Sequence, residues 1–107
     1  MVMGPEKFTE QAQEAITQSQ EILNRYRHNQ WDSEHVFLAL IEQEKGVPAE
    51  VLSQLDINLD SLHERVHRIL EQSSKASGQR NQIFITQKLT DFFERCDAEA
   101  RRLNDQF

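Results

Sequence analysis

The chain repeats itself, and that constrains its fold more than any single motif. Residues 8–30 read FTEQAQEAITQSQEILNRYRHNQ and residues 85–107 read ITQKLTDFFERCDAEARRLNDQF. A displacement of 77 positions sets Phe8 on Ile85, Ala12 on Leu89, Ala15 and Ile16 on Phe92 and Phe93, Leu23 on Ala100 and Tyr26 on Leu103. Only Thr9/Thr86 and Arg25/Arg102 are identical, so the likeness is one of pattern. Self-similarity at a fixed period means one supersecondary unit used twice. The first unit runs to about Leu70. The second is expected to be incomplete at Phe107, roughly 40 residues short at that period.

Both units read as helices. Ala12, Ala15, Ile16, Ser19, Ile22, Leu23 and Tyr26 mark one face at a 3.6-residue period from Thr9 to about Arg27, with Thr9 as N-cap. A second helix begins at Asp32 or Ser33 and carries Val36, Phe37, Leu38, Leu40 and Ile41. It is apolar on most sides, so it should be the most buried element, with Gly46 ending it. Pro48 opens a short helix through Val51, Leu52 and Leu55. Asn58 or Asp60 begins a fourth, with Leu59, Leu62, Val66, Ile69 and Leu70 on its inner stripe. Glu71 to Gln82 has no apolar residue but Ala76 and reads as a solvated linker. From Thr86 a fifth helix places Leu89, Phe92, Phe93, Cys96, Ala100 and Leu103 on one face. No segment alternates long enough to be a strand. The expected fold class is all-α: repeat one over about 8–70, a linker over 71–82 and a partial second repeat over 83–107.

Charge and composition exclude several functions. Eighteen acidic against twelve basic residues give a net charge of −6 without a long basic run, which disfavours nucleic acid and anionic membranes as partners. No apolar stretch approaches the ~20 residues of a membrane span. The single cysteine, Cys96, cannot form an internal disulfide, so a reducing cytoplasm is the expected location. The three glycines, Gly4, Gly46 and Gly78, lie too far apart for a phosphate-cradling loop, so ATP hydrolysis cannot reside here.

Phe8-Thr9-Glu10, then HNQWDSEH over 28–35, VFLALIEQEKGVPAEVLSQL and an acidic-leucine fourth helix resemble the Clp N-terminal repeat domain. In that family two four-helix repeats pack pseudo-symmetrically ahead of the ATPase modules of ClpA, ClpB and ClpC unfoldases and disaggregases. The likeness covers Phe8 to Phe107. One departure is Asp32-Ser33, where the family often has Gly-Thr before Glu-His. The resemblance implies a non-catalytic domain that recognises unfolded or arginine-phosphorylated clients, or an adaptor, near the pore of a hexamer. ATP and magnesium would belong to modules outside this chain, and no cofactor or metal is expected within it. A stand-alone protein-binding module is the alternative.

The resemblance also implies the site: Thr9 and Glu34 in the first repeat and Thr86 in the second. In ClpC-type domains the matching positions help bind phosphoarginine; ClpB-type domains use nearby surface, including the matching threonine, for unfolded or aggregated chains. The chemistry is consistent, since a helix N-terminus with a hydroxyl offers donors to phosphate and a carboxylate pairs with a guanidinium. The plainer roles are capping for Thr9 and a favourable first-turn charge for Glu34. Because the second site lacks its acid within the chain, Thr86 alone should bind weakly or not at all.

Other features compete. His63-Glu64-Arg65-Val66-His67 matches the H-E-x-x-H zinc-protease pattern. Arg65 puts a cation inside it, no clear third ligand follows, and both histidines flank the inner stripe. A chance match is therefore favoured over a zinc hydrolase. Cys96 falls on an apolar face at the position matching Ser19, as a packed small residue rather than a nucleophile. Trp31 reads as a plug between helices. With Phe92 and Phe93 adjacent on the fifth helix, and a Phe worth about 1.5–3 kcal/mol on burial, the chain is expected to self-associate as a dimer.

Overall fold

The structure, a computed structural model, describes residues 10–43, 46–73, 75 and 82–105. Five helices dominate: α1 (Glu10–Arg25), α2 (Ser33–Glu42), α3 (Val47–Gln54), α4 (Leu59–Gln72) and α5 (Gln87–Asp105). Two short strands, β1 (Gln30–Trp31) and β2 (Phe84–Ile85), pair in parallel, Gln30 with Phe84 and Trp31 with Ile85. The expected all-α class stands. These strands were absent from the sequence reading because a two-residue ladder is too short to show a period of two. Among the described residues no helix is long and apolar enough to cross a membrane.

Helix boundaries follow local chemistry. α1 ends where Arg27 turns left-handed at φ 60, with His28 N–H bonded to the Leu23 carbonyl and Arg27 N–H to that of Asn24. This is a Schellman reversal closed without glycine. α3 ends the same way at Asp56, φ 61, where Ile57 N–H reaches Leu52 O and Asp56 N–H reaches Ser53 O. Asp32 caps α2 and Asn58 caps α4, its Oδ1 accepting from Ser61 N–H. Gly46 corrects the sequence reading. α2 stops at Glu42, and Gly46 is instead the extended N-cap of α3, ahead of Pro48 in the first turn. Glu71 and Gln72, assigned from sequence to the linker, are the last residues of α4.

The main core lies among α1, α2 and α4, where Ala15, Ile22, Tyr26, Leu38, Ala39, Ile41, Val66 and Leu70 are buried together. α2 is its centre, as its all-round apolarity requires. A second, smaller cluster joins α5 to the rest: Val36, Leu89 and Phe93, flanked by Ile16, Trp31 and Leu40. The inner stripes are narrower than expected. Ile69 is 52% exposed and Phe92 39% exposed, while Phe93 is buried. One aromatic of the adjacent pair therefore already has its cover, because neighbouring residues on a helix point about 100° apart.

Candidate functional site

The parallel ladder sets two helix starts side by side. Phe84 N–H donates to Asn29 O at 2.8 Å and Thr86 N–H to Trp31 O at 3.0 Å, so Thr86 arrives beside Asp32. Each residue caps its own helix. Asp32 Oδ1 accepts from Ser33 N–H at 2.7 Å, and Thr86 Oγ1 accepts from Leu89 N–H at 3.1 Å. The caps are also joined, because the Thr86 hydroxyl donates to Asp32 Oδ1 at 2.9 Å. One turn into α5, Lys88 Nζ reaches Glu34 Oε1 at 2.6 Å and stands 3.7 Å from Asp32 Oδ2. The Ser33 hydroxyl lies 3.3 Å from the same Glu34 oxygen.

The charges of this seam are mutually adjusted. Burial opposes ionisation of Asp32, but the Ser33 amide, the Thr86 hydroxyl and Lys88 outweigh it and hold the carboxyl below its usual range. Glu34 raises the Lys88 ammonium above the ordinary lysine value against a small burial cost, with Asp32 assisting. Lys88 is 57% exposed and Glu34 31%, so both charges are reachable from solvent.

Beneath the seam, His35 completes a capping box at the start of α2. Asp32 N–H donates to His35 Nδ1 at 3.0 Å. Beside it an apolar groove of about 380 Å³ runs between α2, α4 and α5, lined by Val36, Phe37, Leu40, Val66, Ile69 and Phe92, with Ser33 and Glu34 at its edge.

Of the residues singled out from sequence, the structure brings Glu34 and Thr86 into one cluster. Thr9 lies outside the described residues. Among the described residues Glu34 thus meets Lys88 at the start of α5, beside the hydroxyl of Ser33. Sequence reasoning missed Lys88 and the role of Asp32 beyond capping. The only signal was a lysine two residues past the threonine that opens the fifth helix, which has no meaning until α2 and α5 are placed together.

The competing motifs resolve differently. His63 Nε2 is 2.8 Å from Glu42 Oε2, a carboxylate that also takes Arg25, while His67 Nδ1 is 2.6 Å from the Tyr26 hydroxyl. The two imidazoles therefore bind separate partners. Among the described residues no three His, Cys, Asp or Glu side chains gather as metal ligands. Cys96 is half-buried and burial pushes its thiol up, away from the thiolate a nucleophile needs. Trp31 does plug the junction: its indole N–H donates to Ser19 Oγ at 2.9 Å and its ring meets Phe93 edge-on at 5.9 Å.

The sequence is similar to a known family. The family model described as the Clp repeat (R) N-terminal domain matches residues 7–107. A chaperone protein ClpB of Gloeobacter violaceus is 29% identical over 104 residues, covering 97% of this chain and 12% of that protein. ClpB 1 of Synechocystis is 31% identical, over 96% of this chain and 11% of its own length. ClpB of Clostridium tetani is 31% identical, over 98% and 12%. The chain thus spans about 12% of the curated relatives it matches. With five helices in the expected order and a match across nearly all its length, the chain belongs to the Clp repeat N-terminal domain family.

Proposed function

We propose that this chain recognises client polypeptides, or an adaptor, on behalf of a Clp-type ATP-dependent unfoldase or disaggregase, and performs no chemistry itself. The observation that carries the reading is the seam between α2 and α5. Lys88 Nζ meets the Glu34 carboxylate in one exposed ion pair, and beside it the Thr86 hydroxyl, at the start of α5, donates to Asp32 Oδ1. An arginine bearing a phosphoryl group carries the complementary halves, an anion for the donors and a guanidinium for the carboxylate. The neighbouring groove offers an apolar face to the side chains of an unfolded segment. Exchange costs little at the start, because an exposed ion pair contributes only about 0–1 kcal/mol.

Calorimetric titration tests this with three ligands: a peptide carrying phosphoarginine, the same peptide with plain arginine, and a reduced, denatured protein. Glu34→Ala and Thr86→Val should each weaken the preferred ligand by about ten-fold or more, about 1.4 kcal/mol, with the melting temperature of Glu34→Ala nearly unchanged. Equal binding by the wild type and both variants would remove the site assignment. Binding lost only together with folding would make Glu34 a structural residue.

A further inference from the structure

His28 and His35 form a pair that the recognition site does not itself expose. They are 3% and 2% accessible, and His28 Nδ1 lies 2.9 Å from His35 Nε2. The direction of the proton is dictated by the backbone. Asp32 N–H can only donate, so His35 Nδ1 must be its lone-pair acceptor. The His35 proton is then on Nε2 and donates to His28 Nδ1, which leaves the His28 proton on Nε2. Both rings are neutral in one fixed tautomer each. An added proton has no place on either shared nitrogen. On His35 Nδ1 it would face the Asp32 amide, and on His28 Nδ1 it would face the His35 N–H.

We propose that His28 and His35 are positioning residues for the recognition seam, and that protonating the pair releases the start of α2 and with it the Asp32–Thr86 bond that holds α5. The proposal rests on reading that seam as the recognition site. The path is short. His35 Nδ1 holds the Asp32 amide, Asp32 Oδ1 holds the Thr86 hydroxyl, and Thr86 Oγ1 caps α5 through Leu89 N–H.

Among the described residues, the charged and titratable groups around the pair come from several elements. Asp32 and Glu34 from α2 favour a cation at His35, but burial comes first among the opposing influences, followed by His28, and the imidazole is held below its ordinary range. From the end of α1, the Tyr26 ring stacks on His28 at 5.9 Å; burial raises its hydroxyl, which lies against His67 of α4. Beyond α4, Lys75 lines a cleft together with His28 and His35, its Nζ on Tyr26 O and 3.7 Å from Glu71. Lys88 of α5 acts through Asp32.

The sign follows from proton linkage. An opened His35 takes a proton near pH 6.5, whereas the closed one resists it. The closed seam is therefore fully favoured above about pH 6.5 and loses about ten-fold in its equilibrium per pH unit below that, until the closed form protonates.

Glutamine at this third helical position can accept the Asp32 amide as a capping box normally does, without titrating, so His35→Gln separates capping from protonation. Amide exchange by NMR on the whole chain, corrected for intrinsic rates, supplies the readout. From pH 7.5 to 5.5, protection at Asp32 and Leu89 should fall about ten-fold in wild type and in a His63→Gln control, and by less than about two-fold in His35→Gln. Ring nitrogen shifts of wild type should report Nε2-protonated tautomers for both residues at pH 7.5. Flat protection in wild type, an unchanged pH profile in His35→Gln, or Nδ1-protonated rings would each overturn the proposal. If His35→Gln does not fold, the wild-type tautomers and the coincidence of ring protonation with protection loss decide it. Binding of the phosphoarginine peptide is a separate arm. No binding at any pH, with the protection change intact, sinks the recognition reading while supporting the coupling.

Discussion

The body formed by α1, α2 and α4 and its seam with α5 are held by different forces. Around α2, Ile22, Leu38 and Leu70 are almost wholly removed from water within a continuous apolar cluster from α1, α2 and α4. Among the described residues a smaller apolar cluster, Leu89 and Phe93 against Val36 with Ile16, Trp31 and Leu40 at its flanks, secures α5 together with polar contacts: a two-residue ladder, joined caps and one exposed ion pair. Area buried dominates the first, while bond direction and protonation state dominate the second. Elements that open for ligands come from the less stable parts of a fold, and here that part carries the candidate site.

Leu38→Ala should have the largest effect, costing about 2–5 kcal/mol and melting all helices together in circular dichroism. An equally large loss at the seam with a mild one at Leu38 would invert the contrast. Thr86→Val should cost about 1–2 kcal/mol by removing a cap and its bond to Asp32. Because the single Trp31 sits in the smaller cluster, its fluorescence should then change before the helical signal does. Coincident transitions would mean that core and seam are one cooperative unit.

Acid should sharpen the distinction further. The Asp32 carboxyl is held low when folded, so its contribution is complete above about pH 4 and is lost as the pH falls through the folded value. Tryptophan emission in Asp32→Asn should lack this low-pH step. Lys88→Ala should have the smallest effect on stability, within about 1 kcal/mol by denaturant titration, since its ion pair with Glu34 is solvent-accessible. A larger loss would show that the ion pair, rather than the caps, joins α5 to α2.

The contrast also explains what could be read beforehand. Helical periodicity recovered all five helices because burial of Ile22, Leu38, Val66 and Leu89 is written into local spacing. Gly46 was misassigned because glycine can either close one helix or cap the next, and the intervening turn decides. Glu34 was visible as a first-turn acid and Thr86 as the residue opening the fifth helix. Their meeting was not, since Lys88 and Glu34 are 54 residues apart and joined by a ladder with no sequence period. The His28–His35 bond escaped for the same reason: a glutamate-histidine pair at a helix start gives no sign of which nitrogen accepts the Asp32 amide.

The register of the parallel ladder has an electrostatic consequence. With Trp31 opposite Ile85, α2 and α5 begin at the same level, so two positive helix ends stand together instead of cancelling. Each carries about half an elementary charge, and Lys88 adds one more. Asp32 and Glu34 are the counterions this junction needs in order to stay closed. A bound anion could take over that duty, so ligand and built-in carboxylates are rivals for one vacancy in a charge balance.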